Sequence, residues 1–261
     1  MRIDDPADPR LDDIRDLKHS DTQRGLVFAE GPLVAGRLVQ SRFPVRAVFG
    51  FGGRLEAFLG DYGNDVSAPV YEVPRAVMAE VAGYDMHRGL LVSADKPAPL
   101  AVSDVLAGAR TLVVLEGVGD HENIGSIFRN AAGMGVDGVL FGASTADPLY
   151  RRSVRVSMGH VLRLPFAHLE GTTTTWQRSL EQLRADGWWL VALTPADDAV
   201  DLKEAVAGHD KVAFLVGGEG PGLTRHAMAA ADVRAKIPMA PGTDSLNVAT
   251  AAAIAFYERM R

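Results

Sequence analysis

A chain of 261 residues that is 47% apolar and 23% charged excludes the disordered, collagen-like and disulfide-scaffold classes, and its length accommodates one large globular domain or, as we read it, two. The absence of cysteine excludes thiolate metal sites and cysteine nucleophiles. The cytoplasm is the expected compartment, because no run approaches the roughly 18 apolar residues of a membrane helix and the opening residues lack signal-peptide character. With 27 Lys and Arg against 33 Asp and Glu the net charge is −6, so the whole-chain field does not attract a polyanion and a nucleic-acid ligand needs a local basic patch.

Residues 1–22 carry Asp4, Asp5, Asp8, Asp12, Asp13 and Asp16 with little apolar periodicity, and read as an N-terminal arm, loose or with one short helix. Residues 23–95 read as a small α/β domain, with strand-like runs at 26–28, 45–51, 70–73 and 89–92 and helical stretches at 33–39 and 77–81. The polar, proline-bearing stretch 96–104 reads as a linker. From 105 to 261, apolar runs at 111–115, 138–141, 188–193 and 212–216, with a short one ending near Ile237, lack alternation. That pattern predicts strands buried on both faces of a parallel sheet, with crossover helices at 124–134, 175–185, 224–230 and 245–260. Between them, 148–165 holds Arg151, Arg152, Arg155 and Arg163 with no acidic residue, the best basic patch in the chain, although a solvated helix face would look the same.

In an open parallel sheet ligands bind beyond the carboxyl ends of strands, and three of the loops there are unusual. The first follows Leu115 and leads through Gly117, Gly119 and Asn123 into a helix bearing Ser126, Arg129 and Asn130, with Asn123 expected near the N-cap. A dinucleotide fingerprint fails there, because its third glycine falls on Glu122. The second, Gly217-Gly218-Glu219-Gly220-Pro221-Gly222, offers backbone rather than side chains to a ligand, with Glu219 having no evident task in a plain turn. It lacks the Lys and Ser or Thr of a phosphate loop. The third runs from Ile237 and Pro238 to Ser245, Leu246 and Asn247, entering an alanine-rich helix in which Ser245 or Asp244 is the simplest cap and Asn247 falls in the first turn.

The order of these loops resembles the SpoU (TrmH) family of the SPOUT superfamily, RNA ribose 2'-O-methyltransferases that use S-adenosylmethionine. Its three motifs are echoed by Asn123-Ile124-Gly125-Ser126-Ile127-Phe128-Arg129-Asn130-Ala131, by Leu215-Val216-Gly217-Gly218-Glu219-Gly220-Pro221-Gly222-Leu223, and by Ile237-Pro238-Met239 with Ser245-Leu246-Asn247-Val248-Ala249. The resemblance covers about residues 105–261, and His160 stands where the family usually has a smaller residue. More weakly, Phe28-Ala29-Glu30-Gly31-Pro32-Leu33-Val34 and Val45-Arg46-Ala47-Val48-Phe49 look like the family's accessory RNA-binding domain.

The resemblance implies an α/β methyltransferase domain with a C-terminal trefoil knot, preceded by a small α/β RNA-binding domain, and a homodimer with the alanine-rich last helix at or beside the interface. It implies S-adenosylmethionine held by Leu193, Thr194, Gly217, Gly218, Glu219, Ile237, Pro238, Leu246 and Asn247. No metal is expected beside it, because the loops hold no His or carboxylate cluster at ligand spacing. Asn123, Arg129, Glu219, Ser245 and Asn247 become the catalytic set. An arginine is too basic to act as the base, so Arg129 is read as a clamp on the phosphate, which leaves Glu219, a phosphate oxygen or water to take the hydroxyl proton. Arg151, Arg152 and Arg155 are the candidate RNA contacts, with Arg37, Arg42 and Arg46 as a second patch. The extra N-terminal domain favours ribosomal over transfer RNA. Two other readings differ in kind. One is a catalytically silent RNA-binding protein of the same fold, against which the full catalytic set speaks. The other is a nicotinamide oxidoreductase, against which the missing glycine speaks.

Overall fold

The computed structural model describes residues 1–17 and 25–261 and divides into two compact units. The first is Met1–Ala98 with Pro148–Arg163; the second is Pro99–Asp147 with Leu164–Arg261. The arginine-rich segment read with the larger domain is thus grouped with the smaller unit, and the expected border at 22/23 lies outside the described residues.

In the first unit, β1 (Leu26–Glu30), β2 (Val45–Gly50), β3 (Val70–Glu72) and β4 (Leu90–Asp95) form a sheet of order β1-β4-β2-β3. β4 runs antiparallel to both β1 and β2, and β3 runs parallel to β2. The helices are α1 (Pro32–Val39), α2 (Gly53–Tyr62) and α3 (Arg75–Ala82). α2 is not among the helices expected from the sequence, because Gly53 and Gly60 weaken its helical signal; Leu55 and Phe58, three apart, supply the buried face. The arm is not loose. Pro9–Ile14 is a 3-10 helix capped by Asp8, and Ile3, Leu11, Ile14 and Leu17 join Phe28, Phe49 and Met78 in the core.

The second unit is a seven-stranded sheet of order β7-β6-β5-β10-β8-β11-β9, with every neighbouring pair parallel. Its strands are β5 (Thr111–Glu116), β6 (Gly138–Phe141), β7 (Phe166–His168), β8 (Trp189–Leu193), β9 (Val200–Asp201), β10 (Val212–Gly217) and β11 (Val233–Lys236). All of β5 and β6 is buried, which is why these runs carry no polar alternation. Around them lie α4 (Val102–Leu106), α5 (His121–Gly133), α7 (Arg178–Ala185), α8 (Leu202–Val206), α9 (Arg225–Ala230) and α10 (Val248–Met260), while α6 (Arg151–Val156) belongs to the first unit. One face of the sheet packs Leu112, Val114 and Leu215 against Trp176, Leu180 and Ala227. On the other, Phe128 stacks on Phe141 and Phe214 meets Phe256 of α10, which also packs on α5.

The chain leaves β5 toward β6 and β7 on one side, while β10 is followed outward by β8, β11 and β9 on the other. The sheet therefore reverses its order between β5 and β10, the kind of switch point near which open α/β sheets bind ligands.

Candidate active site

Asp120, not Asn123, caps α5: its carboxylate accepts from the Glu122 N–H at 2.8 Å, and the helix begins at His121 rather than at Ile124. Asn123 consequently sits inside the first turn, buried, with its side chain turned toward the sheet ends. The opposite correction applies to the last helix. Asn247 is the N-cap of α10, its Oδ1 accepting from the N–H groups of Ala249 at 2.9 Å and Thr250 at 3.2 Å, while Asp244 and Ser245 lie before the helix and cap nothing.

The glycine loop is built from contacts that admit no side chain. A Cβ on Gly217 would strike the backbone of Gly222 and Leu223, and one on Gly218 would strike the carbonyl of Gly117 in the loop after β5. Gly222 N–H closes the turn onto the Gly218 carbonyl at 3.1 Å. The two loops are thereby pressed together at the switch point, which carries Glu219 to the asparagines. Asn123 Nδ2 donates to Glu219 Oε1 at 2.8 Å, and Asn247 Nδ2 donates to the same oxygen at 3.2 Å and to Asn123 Oδ1 at 2.8 Å. One residue from each of the three loops thus forms a closed polar triangle.

Beside the triangle is a cavity of about 520 Å3 beyond the ends of β8, β10 and β11. Leu193 and Thr194 line it from β8, Gly217, Gly218 and Glu219 from the glycine loop, and Ile237, Ser245, Leu246 and Asn247 from the third loop. Pro238, expected among them, is exposed and does not line it. Met228 of α9 and Ala251 of α10 line it unforeseen, since nothing distinguishes their apolar side chains from core residues in the sequence. Glu219 is the only ionisable side chain in the lining among the described residues, so the cavity suits a ligand with apolar parts and positive charge. Among the described residues no cluster of three His, Asp or Glu is placed to hold a metal, and no helix is long and apolar enough to cross a membrane.

The sequence model described as the SpoU rRNA Methylase family matches residues 110–257, a span that contains all three loops. The chain belongs to this family. A protein of Mycobacterium tuberculosis described as an uncharacterized tRNA/rRNA methyltransferase is 52% identical over 98% of this chain and 90% of its own length. The AdoMet-bound rRNA methyltransferase of Sinorhizobium meliloti has a similar structure, with a TM-score of 0.82 at 26% identity over 99% of this chain and 97% of that one. A structure described as an RNA 2'-O ribose methyltransferase gives a TM-score of 0.76 at 28% identity, over 99% and 98% of the two chains.

Other residues singled out from the sequence are not members of the triangle. Arg129 is exposed on α5 and outside the cavity lining, and among the described residues no hydrogen bond or ion pair engages its guanidinium. Within the first unit, Arg152 and Arg155 of α6 are exposed, and Arg155 has no ion pair among the described residues. Arg151 is half-buried: it donates to the Tyr84 hydroxyl at 2.6 Å, with its guanidinium 4.7 Å above that ring. The second patch is not free for a ligand. Arg46 holds Asp13 at 2.8 and 3.1 Å, Arg37 donates to the Met158 carbonyl at 2.6 Å, and Arg42 donates to the Ala98 carbonyl at 3.2 Å.

Proposed function

We propose that this chain is an S-adenosylmethionine-dependent methyltransferase that modifies a ribose 2'-hydroxyl in RNA, with ribosomal RNA favoured over transfer RNA. The observation that carries the reading is the Asn123–Glu219–Asn247 triangle at a cavity whose only ionisable lining group, among the described residues, is a carboxylate. The cavity volume of about 520 Å3 lies within the range of small-molecule sites. Its apolar walls and glycine backbone suit an adenine ring, and the Glu219 carboxylate suits a ligand carrying a sulfonium and an ammonium. When bound, the cofactor supplies an electrophilic methyl group. The chain's own task is to hold the acceptor hydroxyl in line with that group, at about 3–3.5 Å, and to receive its proton.

Glu219 Oε1 is occupied by both asparagine amides, which fixes the carboxylate and leaves Oε2 without a hydrogen bond among the described residues. Arg129, always charged and unengaged, clamps the phosphate next to the modified ribose through its planar fork of donors. Ser245, exposed at the cavity edge, adds a hydroxyl to the acceptor side. The first unit holds RNA, with Arg151, Arg152 and Arg155 along the phosphate backbone. The segment after β11 passes through a loop as a trefoil knot, a reading supported by the return of α10 to pack on α5 and β10.

The active form is a homodimer in the cytoplasm. Ile254, Tyr257 and Met260 are exposed at intervals of three along α10, an apolar stripe that fits its symmetry mate, whereas Ala252 and Ala255 are wholly buried in the chain's own core. Mapping ribose 2'-O-methyl sites in RNA from cells with and without the gene tests the function. A ribosomal RNA site that vanishes on deletion and returns when purified protein is added with the cofactor is the expected result, and an unchanged methylation map would overturn it.

A further inference from the structure

Glu116 ends β5 and shares its face with Leu112 and Val114, against the cluster that includes Trp176 and Leu223. It is 5% exposed, a position where a carboxylate is costly unless donors meet it. Oε1 accepts from Trp176 Nε1 at 2.9 Å, Thr224 Oγ1 at 3.0 Å and Gln177 Nε2 at 3.3 Å, and Oε2 accepts from the Thr224 backbone N–H at 2.8 Å. None of these donors is cationic. The main-chain carbonyl of the same residue accepts from Gly218 N–H at 2.8 Å. One residue therefore grips the glycine loop at its entry through Gly218 and at its exit through Thr224. Thr224 passes the restraint on: it is the N-cap of α9, its Oγ1 accepting from the Ala227 N–H at 3.2 Å. An apolar side chain at 116 would complete this core without burying a charge, so packing alone does not account for the carboxylate.

We infer that Glu116, which does not line the cavity, is a positioning residue for the cofactor loop: its carbonyl and carboxylate hold Gly217–Thr224 in the shape that walls the cavity, and so set the affinity for S-adenosylmethionine. The inference rests on the reading of the cavity given above. In Glu116→Gln one oxygen becomes an amide that faces donors rather than acceptors, so a restraint on the loop is lost while the side-chain volume is kept.

The test titrates S-adenosylmethionine by calorimetry into the full chain and into Glu116→Gln, Thr224→Val, Thr224→Ser and Trp176→Phe, alongside thermal unfolding and amide exchange of residues 217–224. Glu116→Gln should weaken binding about tenfold or more, as expected when a charge-assisted hydrogen bond is lost, with faster exchange across the loop. Thr224→Val should weaken binding and Thr224→Ser should restore it. Trp176→Phe, which keeps both Thr224 bonds, should lower the melting temperature yet leave affinity within about twofold. Wild-type affinity in Glu116→Gln, or affinity that follows melting temperature across all four variants, overturns the inference. Should Glu116→Gln fail to fold, equal affinities of Thr224→Val and Thr224→Ser overturn it. A wild-type chain that does not bind the cofactor overturns the reading of the cavity instead, and the exchange measurement then decides the grip alone: unchanged exchange in Glu116→Gln refutes it.

Discussion

Asn123 and Asn247 stand 124 positions apart in the chain, yet Asn247 donates to Asn123 at 2.8 Å and both donate to one oxygen of Glu219. Asn247 also caps α10, so the start of the last helix and the carboxylate are tied by a single side chain. Replacing Asn247 by Ala should cost about 1 kcal/mol as a lost cap. The double variant with Asn123→Ala should show a coupling of about 0.5–3 kcal/mol, because the two groups share partners. Urea unfolding of the two single variants and the double variant measures it, and strictly additive losses would mean that the triangle contributes no cooperative restraint.

The two asparagines also show where the sequence stops being legible. Asn123 reads as a cap and lies within a helix; Asn247 reads as internal and is a cap. Asp, Asn and Ser are near-equal N-caps, so a stretch such as Asp120 to Asn123 or Asp244 to Asn247 offers several starts, and only tertiary contacts select one. The strands were legible for the opposite reason, since β5 and β10 are almost wholly buried and tolerate only apolar residues until their ends. Leu11, Ile14 and Leu17 recur every three residues, the period of a 3-10 helix rather than of an α-helix, and six aspartates mask that signal. From the sequence Glu116 reads as the start of a loop, because nothing there shows that donors from Trp176, Gln177 and Thr224 converge on it.

Arg129 is the residue expected to separate binding from turnover. It lies outside the cavity lining, so Arg129→Ala should abolish methylation while leaving cofactor affinity within a few fold. Arg129→Lys should also be poor, since a point charge does not reproduce a planar fork on phosphate. Parallel loss of cofactor binding and turnover would place this residue on the cofactor side and end its role as clamp.

His168 gives the second unit a pH response. Its ring stacks on Phe141 with centroids 5.0 Å apart. The residue is exposed overall, so only the partial desolvation of the ring against Phe141 lowers its pKa from the ordinary value, partly offset by the charge of Asp147, and the effect on stability is small. The unfolded chain therefore takes up this proton at higher pH than the folded one. Stability should be full above the unfolded pKa, near 6.5, and should fall as pH drops from there through the lower folded value. Urea midpoints between pH 7.5 and about 5 should fall more steeply for wild type than for His168→Gln, and parallel slopes would exclude the contribution.

The stripe on α10 predicts a monomer on demand. Ile254→Asp together with Tyr257→Asp adds charge to side chains that are already exposed, so the fold should persist while self-association fails. Sedimentation at micromolar concentration should show a dimer for wild type and a monomer for the variant. A wild-type monomer with full activity would remove the stripe from the mechanism.

A chain of net charge −6 must hold RNA through local cations, and α6 separates its arginines by their engagement. Arg151 is anchored to Tyr84, so replacing it should perturb packing as well as binding. Arg152 and Arg155 are both exposed, so Arg152→Ala with Arg155→Ala removes two surface cations from α6 at once. If both contact phosphate, log K plotted against log salt should lose about 0.7–0.9 of slope for each contact removed. Wild type and the double variant should then converge in affinity as salt rises, because the lost contacts are the screened ones. An unchanged slope with weaker binding at every salt concentration would instead mean that α6 supports the fold of the first unit and that RNA is held by other residues.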